Sequence, residues 1–271
     1  HIYSIGNNKK MLCTSCTIAK ITNLPYAKSQ RKATRPLQIV SSDVCGPFYK
    51  RDNRQQHSFI TFIDHFTGYV KTVPIHTQKQ WPHEFQLFKK ESELAFQPHK
   101  ITTLRTDNAG VMISLDFENY LREEGIRHEL TLPYQHSQNG KVERVHRTLV
   151  ESAQAMRHHA GMGIEFLMTA IEYATYIYNL LPQQKHMMRS KDKNRTLTPY
   201  EHWEGYKTPN IVTLYENLKT FGCEVVHQIP KEKRTKDQYR GKLAIFLGKA
   251  KHSKGHKLLD PTTGNIFSSR T

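Results

Sequence analysis

Apolar and polar residues alternate along three stretches early in the chain, and each predicts a β-strand. These are Leu37 to Val44, Ser58 to Asp64 (SFITFID) and Tyr69 to Ile75 (YVKTVPI), the last two joined by a turn at Thr67-Gly68, so the three form a meander. The period then lengthens. Glu84, Phe85, Phe88, Leu94 and Phe96 recur at helical spacing and predict a helix before Pro98. Ile101 to Thr106 predicts a fourth strand. Leu115, Phe117, Tyr120 and Leu121 predict a short helix ending at Gly125, and Ile126 to Leu132 a fifth strand stopped by Pro133. The clearest helical stripe is Val142, Val145, Leu149, Ala153 and Met156, bounded by Gly140 and Gly161. A second apolar helix is expected from about Glu165 to Leu181, before Pro182.

Residues 183–199 lack apolar spacing and read as a linker. Short β-like runs return at Glu224 to Ile229, Leu243 to Leu247, His256 to Leu259 and Asn265 to Ser268, punctuated by Gly241, Gly248, Gly255 and Gly264. They predict a small all-β module. The expected organisation is therefore a polar N-terminal segment over residues 1–35 and an α/β core over 36–182. A linker or helical connection follows over 183–217, then a β module over 218–271. Three strands, helix, strand, helix, strand, long helix is an order compatible with an RNase H-like α/β fold. In that fold the first strand is central and lies beside the fourth.

Charge sharpens the picture. The chain has 271 residues, with 40 Lys or Arg against 24 Asp or Glu, a net charge of +16. Residues 1–42 hold seven cations and no acid, and residues 231–257 hold ten cations and two acids. The rest is near neutral, so two basic ends flank a nearly uncharged body, as suits a polyanionic partner held around a central site. No apolar run approaches 18 residues, and the N-terminus carries no signal-peptide core, so neither membrane insertion nor secretion is expected. Four cysteines are too few for a disulfide scaffold, which fits a reducing intracellular compartment. Cys45 and Cys223 lie in apolar runs and are expected to be buried.

Three acids stand at element ends. Asp43 closes the first predicted strand, Asp107 the fourth, and Glu143 sits in the first turn of the long helix, with 35 residues between the last two. Such a trio suits two divalent cations about 3.5–4 Å apart, one on the attacking and one on the leaving oxygen of a phosphoryl transfer. Mg²⁺ or Mn²⁺ would fit, because both take oxygen ligands. The same residue types also serve as turn and dipole-compensating residues. Asp64 ends the second predicted strand but lies off the central pair, and reads as a turn residue.

The ordered stretches SSDVCGPF, FIDHFTGYVKTVPI, ITTLRTDNAG and GIRHELTLPYQHSQNGKVERVHRTLVE resemble the integrase of copia-type LTR retrotransposons. LTPYEHWEGYKTPN, LKTFGCEVVHQIPKEKR and IFLGKAKHSKGHKLLDPTTGNIFSSR extend the resemblance over residues 13–271. It implies a retroviral integrase-type catalytic core and a small SH3-like β-barrel at the C-terminal side. By motif, the family's two-Asp, one-Glu triad falls on Asp43, Asp107 and Glu143. Cys13 and Cys16 are spaced as half of a zinc site, whose His pair lies upstream in the family. Here His1 is the only histidine before them, so Zn²⁺ would need ligands supplied from elsewhere.

Around the triad, His146 and Arg147 share the Glu143 face of the helix, with Lys141 and Arg144 flanking it. Asn108 and Asn139 sit beside triad members. With Lys231, Lys233, Arg234, Lys236, Arg240 and Lys242 these are the expected DNA contacts, to phosphate and not to base edges. The resemblance implies metal-dependent strand transfer of element DNA into host DNA, with 3′-end processing left open. It also implies release from a Gag-Pol polyprotein, a homo-multimer on paired DNA ends, and action in the nucleus after passage through cytoplasmic particles. A host chromatin or tethering factor is a further expected partner. Two rivals remain: an inactive DNA-binding relic, and a nuclease of the same fold that cuts without joining.

Overall fold

The computed structural model describes residues 32–50, 53–130, 140–183, 196–205, 211–235, 237, 239–250 and 255–270. Cys13, Cys16, Asn139 and Lys236 lie outside them, so the zinc reading and two of the DNA contacts have no structural counterpart here.

Strands β1 (Ile39–Lys50), β2 (Asn53–Asp64) and β3 (Val70–Ile75) form an antiparallel meander. After helix α1 (Trp81–Ala95), strand β4 (Thr103–Thr106) returns parallel to β1. Helix α2 (Leu115–Glu123) then leads to β5 (Arg127–Leu130), parallel to β4. The sheet order is β3-β2-β1-β4-β5, so β1 is central and lies beside β4.

Central strands are buried on both faces, and β2 shows it by alternation. Ile60 and Phe62 join Trp81, Phe85 and Phe88 of α1 on one face, with Phe117 and Leu121 of α2. Phe59 and Ile63 join Val142, Val145, Leu149 and Ala153 on the other. The latter four belong to helix α3 (Gly140–His159), and helix α4 (Leu167–Leu180) packs beside it. On β1, Ser42 falls on the α1 face, where it accepts a 2.9 Å hydrogen bond from Trp81 Nε1. Its neighbour Asp43 is thereby turned to the α3 face.

Two expectations about apolar stripes need correction. Leu94 and Leu115 belong to the helical spacing that predicts these helices, yet they are 71% and 82% exposed. The phase of α1 follows Trp81, Phe85, Phe88 and Ser92, and that of α2 follows Phe117 and Leu121. Bulky aromatic rings set the packed face, and single aliphatic residues on the wrong side simply remain outside.

β1 is also longer than expected. It continues past Val44 through a register shift between Cys45 and Phe48. Gly46 has φ of +125° there, and a Cβ would stand 3.1 Å from the backbone of both His57 and Ser58. Gly46→Ala should therefore cost about 2–4 kcal/mol through strain and crowding. Chemical unfolding would test it, and a midpoint equal to the parent's would refute the role.

Two short helices, α5 (Pro199–Glu204) and α6 (Ile211–Glu216), precede the second sheet. That sheet is an antiparallel meander of β6 (Glu224–Gln228), β7 (Gly241–Lys249), β8 (His256–Leu259) and β9 (Ile266–Ser269). Ala244, Phe246 and Leu258 pack with Ala170, Tyr173 and Ala174 of α4 in the same core as Phe59 and Val142. Cys45 and Cys223 are half-buried in this region, less enclosed than expected. Among the described residues no helix is long and apolar enough to cross a membrane.

Candidate metal and nucleic-acid site

The central sheet brings the two aspartates level. Ser41 of β1 pairs with Arg105 of β4 in parallel register. Asp43 and Asp107 each follow two residues later, so both leave the C-terminal side of neighbouring strands at one height. Open α/β sheets commonly bind ligands at that edge. Asp43 is not at a strand end as expected, but lies within β1, because the strand runs on through Gly46. Asp107 directly follows β4, where its Oδ1 accepts a 3.1 Å hydrogen bond from the Ala109 amide. Glu143 lies in the first turn of α3, whose apolar stripe fixes the helix over β1 and β2.

The three charges act on one another. The Asp43 carboxyl is pushed up to about 7, first by burial, then by Asp107 and, more weakly, by Glu143. A 2.8 Å bond from the Val44 amide to Oδ1 opposes this. Converging, partly desolvated carboxylates are the donor chemistry of a hard divalent cation. Their kind fits Mg²⁺ or Mn²⁺. Their spacing is looser: among the described residues, no three His, Cys, Asp or Glu side chains are gathered closely enough to hold an ion.

His146 departs from expectation. Expected to face DNA, it is only 8% exposed, and its Nε2 lies 2.9 Å from Thr61 Oγ1. Its ring stands edge-on to Phe59 at 5.4 Å. Burial drives its pKa down to about 4, so it is neutral. So enclosed a ring presents little surface to a DNA phosphate. Arg144, Arg147 and Asn108 are exposed near the triad, and Lys141 is half-buried with its charge felt by Asp64. Lys231 and Arg240 are exposed and Arg234 is half-buried, all on or beside the second sheet. Lys242 is already engaged, donating to Asp260 Oδ2 at 2.7 Å, so its ammonium is a partner within the β module. That bond is the main reason the Asp260 carboxyl falls to about 2. Lys233 lies in a short 3-10 turn at Lys231–Lys233.

Asp64 behaves as a turn residue. Its Oδ1 accepts from the Leu37 amide at 3.0 Å, and its Oδ2 from the Thr67 amide and hydroxyl at 2.8 and 2.7 Å. Sequence reading missed a network behind Asp107. Glu118 Oε1 is 2.6 Å from His128 Nδ1, His128 Nε2 is 2.8 Å from Thr106 Oγ1, and Thr106 Oγ1 donates to the Asp107 carbonyl. It joins α2, β5 and the end of β4, and only the position of Thr106 next to Asp107 hinted at it.

A family model described as the retroviral polymerase SH3-like domain matches residues 223–271. The chain is 31% identical over 270 residues, 99% of its length, to the retrovirus-related Pol polyprotein from transposon TNT 1-94 of Nicotiana tabacum, covering 19% of that protein. It is 30% identical over 265 residues, 97% of its length, to the corresponding polyprotein from transposon RE2 of Arabidopsis thaliana, covering 17%. The chain thus spans about a fifth of the length of these relatives. In fold it is similar to a chain of the simian T-cell lymphotropic virus intasome, determined in complex with the PP2A regulatory subunit B56 gamma. That match has a TM-score of 0.54 and 15% identity, covering 95% of this chain and 84% of that one. The HTLV-2 integrase catalytic core, determined in complex with magnesium in trimeric form, aligns with a TM-score of 0.46 and 19% identity. It covers 64% of this chain and 99% of that one. Nearly the whole chain is thus similar to part of the Pol polyproteins of copia-type, retrovirus-related transposons, and it has the mixed α/β fold of retroviral integrase cores followed by an SH3-like domain.

Proposed function

We propose that this segment is the integrase of its polyprotein, a polynucleotidyl transferase that joins the 3′-hydroxyl of element DNA ends to a host DNA phosphodiester. The observation that carries the reading is the parallel β1–β4 register, which sets Asp43 level with Asp107 beneath the helix bearing Glu143. These three carboxylates would hold the divalent cations. When bound, the cations supply a lowered nucleophile pKa and charge stabilisation at the leaving oxygen. The chain's own residues do the rest. The Val44 amide orients Asp43 and the Ala109 amide orients Asp107. Arg144, next to Glu143, and Arg147, one helical turn on, are both exposed and would grip the phosphates of the reacting strand.

The fold neighbour sits in an intasome, and assembly of this chain as a multimer on paired element ends is part of the same reading. Its substrates place its work in the nucleus, after passage through cytoplasmic particles, with a chromatin-bound host tether as a further partner. Cys13 and Cys16 would bind Zn²⁺ once two further ligands are supplied.

A strand-transfer assay tests the proposal. The protein is incubated with labelled element-end oligonucleotide and plasmid, with Mg²⁺ or Mn²⁺, beside Asp107→Asn. Joined product from the parent protein, reduced at least about a thousandfold in the variant, is the expected result. Cutting without joining would replace the integrase by a nuclease. Salt-sensitive DNA binding with neither would mark an inactive relic.

A further inference from the structure

We propose that His146 is a positioning residue that ties the Asp43 carboxylate to the helix carrying Glu143. The inference rests on the metal-site reading above. Thr61 is the cross-strand partner of Asp43 in the β1–β2 pair, so both side chains leave the same face of the sheet, toward α3. His146 comes down from α3 one turn after Glu143 and inserts its ring between them. Nε2 lies 2.9 Å from Thr61 Oγ1, and Nδ1 lies 3.9 Å from Asp43 Oδ2. Phe59 closes one side of the ring, and only 8% of the residue is exposed.

Both ring nitrogens thus face polar partners, and this selects the tautomer. A lone pair aimed at a carboxylate repels it, whereas an N–H attracts it. With Asp43 ionised, Nδ1 therefore carries the hydrogen and faces it, while Nε2 accepts from the Thr61 hydroxyl. At 3.9 Å the Nδ1 contact is electrostatic, too long for a hydrogen bond. Contacts of this kind commonly tighten when the site is loaded. The other Asp43 oxygen is already held by the Val44 amide. One oxygen is thus held by its own strand and the other faces a side chain of α3, the helix that bears Glu143. Neighbours of this type orient metal ligands, and their loss typically weakens metal affinity about 10–100-fold.

The test uses Mn²⁺ alone as the probe, with binding to the full chain followed by electron paramagnetic resonance and thermal unfolding measured without metal. His146→Asn keeps a donor at the Nδ1 position but cannot reach Thr61. His146→Gln keeps a group at the Nε2 position but places nothing at Nδ1. The expected result is that Asn stays within about threefold of the parent affinity, whereas Gln loses about 10–100-fold although it unfolds no earlier than Asn. Parent-like affinity in Gln, or losses in both variants that track their stability, would overturn the role of His146 alone. Parent protein showing no Mn²⁺ binding sensitive to Asp107→Asn would overturn the metal site itself, and this role with it.

Discussion

Asp43→Asn is expected to raise the unfolding temperature of the metal-free protein while removing at least about three orders of magnitude of metal-dependent strand joining. The two effects share a cause. Asp43 lies within a central strand, mostly out of water, with Asp107 and Glu143 adding negative charge. Its carboxyl titrates near 7 in the fold, against about 3.9 in an unfolded chain. A folded value above the unfolded one means that ionised Asp43 burdens the fold. The burden is absent below about pH 4, grows as pH rises, and is complete above the folded value. The whole difference would be worth about 4 kcal/mol. The side chain keeps 18% of its surface in water, and effective dielectric values around charged sites are high, so about 1–2 kcal/mol is expected. For a chain of this size that is roughly 3–6 °C. Unfolding scans at pH 8 and pH 4 would check it. The variant should lead at pH 8, and the gap should close at pH 4. A variant that melts below the parent at pH 8 would refute the account.

Asp64→Ala should do the opposite, costing about 3–5 kcal/mol whether or not metal is present. Asp64 is 1% exposed, and its two oxygens accept three hydrogen bonds, from the Leu37 amide and from the Thr67 amide and hydroxyl. Removing the carboxylate leaves three donors buried without an acceptor. Leu37 feels this most, because it enters β1 with φ of +61°, a conformation that a non-glycine residue holds only when its surroundings enforce it. Burial holds the Asp64 carboxyl above the usual range despite its three donors, so acceptor geometry, not charge, supplies the stability. Denaturant midpoints with and without Mn²⁺ would test this, and a loss below about 1 kcal/mol would remove Asp64 from the structural frame.

These two aspartates show how far a sequence reading reaches. Both lie in or at the end of a predicted strand, and strand pattern alone cannot separate a ligand from a turn residue. Topological reasoning that the first strand is central and the second is not gave Asp64 its turn role, and its hydrogen bonds agree. The boundaries were less legible. β1 ran past Val44 because Gly46 lets the strand cross an irregular step against His57 and Ser58, which no alternation of apolar residues announces. No local spacing shows that the turn after β8 brings Asp260 to the Lys242 ammonium.

By itself the sequence determined the period and order of the elements, the charge asymmetry, and the residue types at positions 43, 107 and 143. These are local quantities, carried by spacing within a few residues of each other. Only the tertiary structure decided which elements meet. Placing β4 beside β1 brings together residues more than sixty positions apart, and local spacing does not encode such a pairing. The direction of His146 was likewise decided by packing. On the helix alone it shares the Glu143 face, and a histidine suits solvent or core equally. Once Val142, Val145 and Leu149 seat α3 on the sheet, Phe59 and Thr61 enclose the ring, and burial removes its charge.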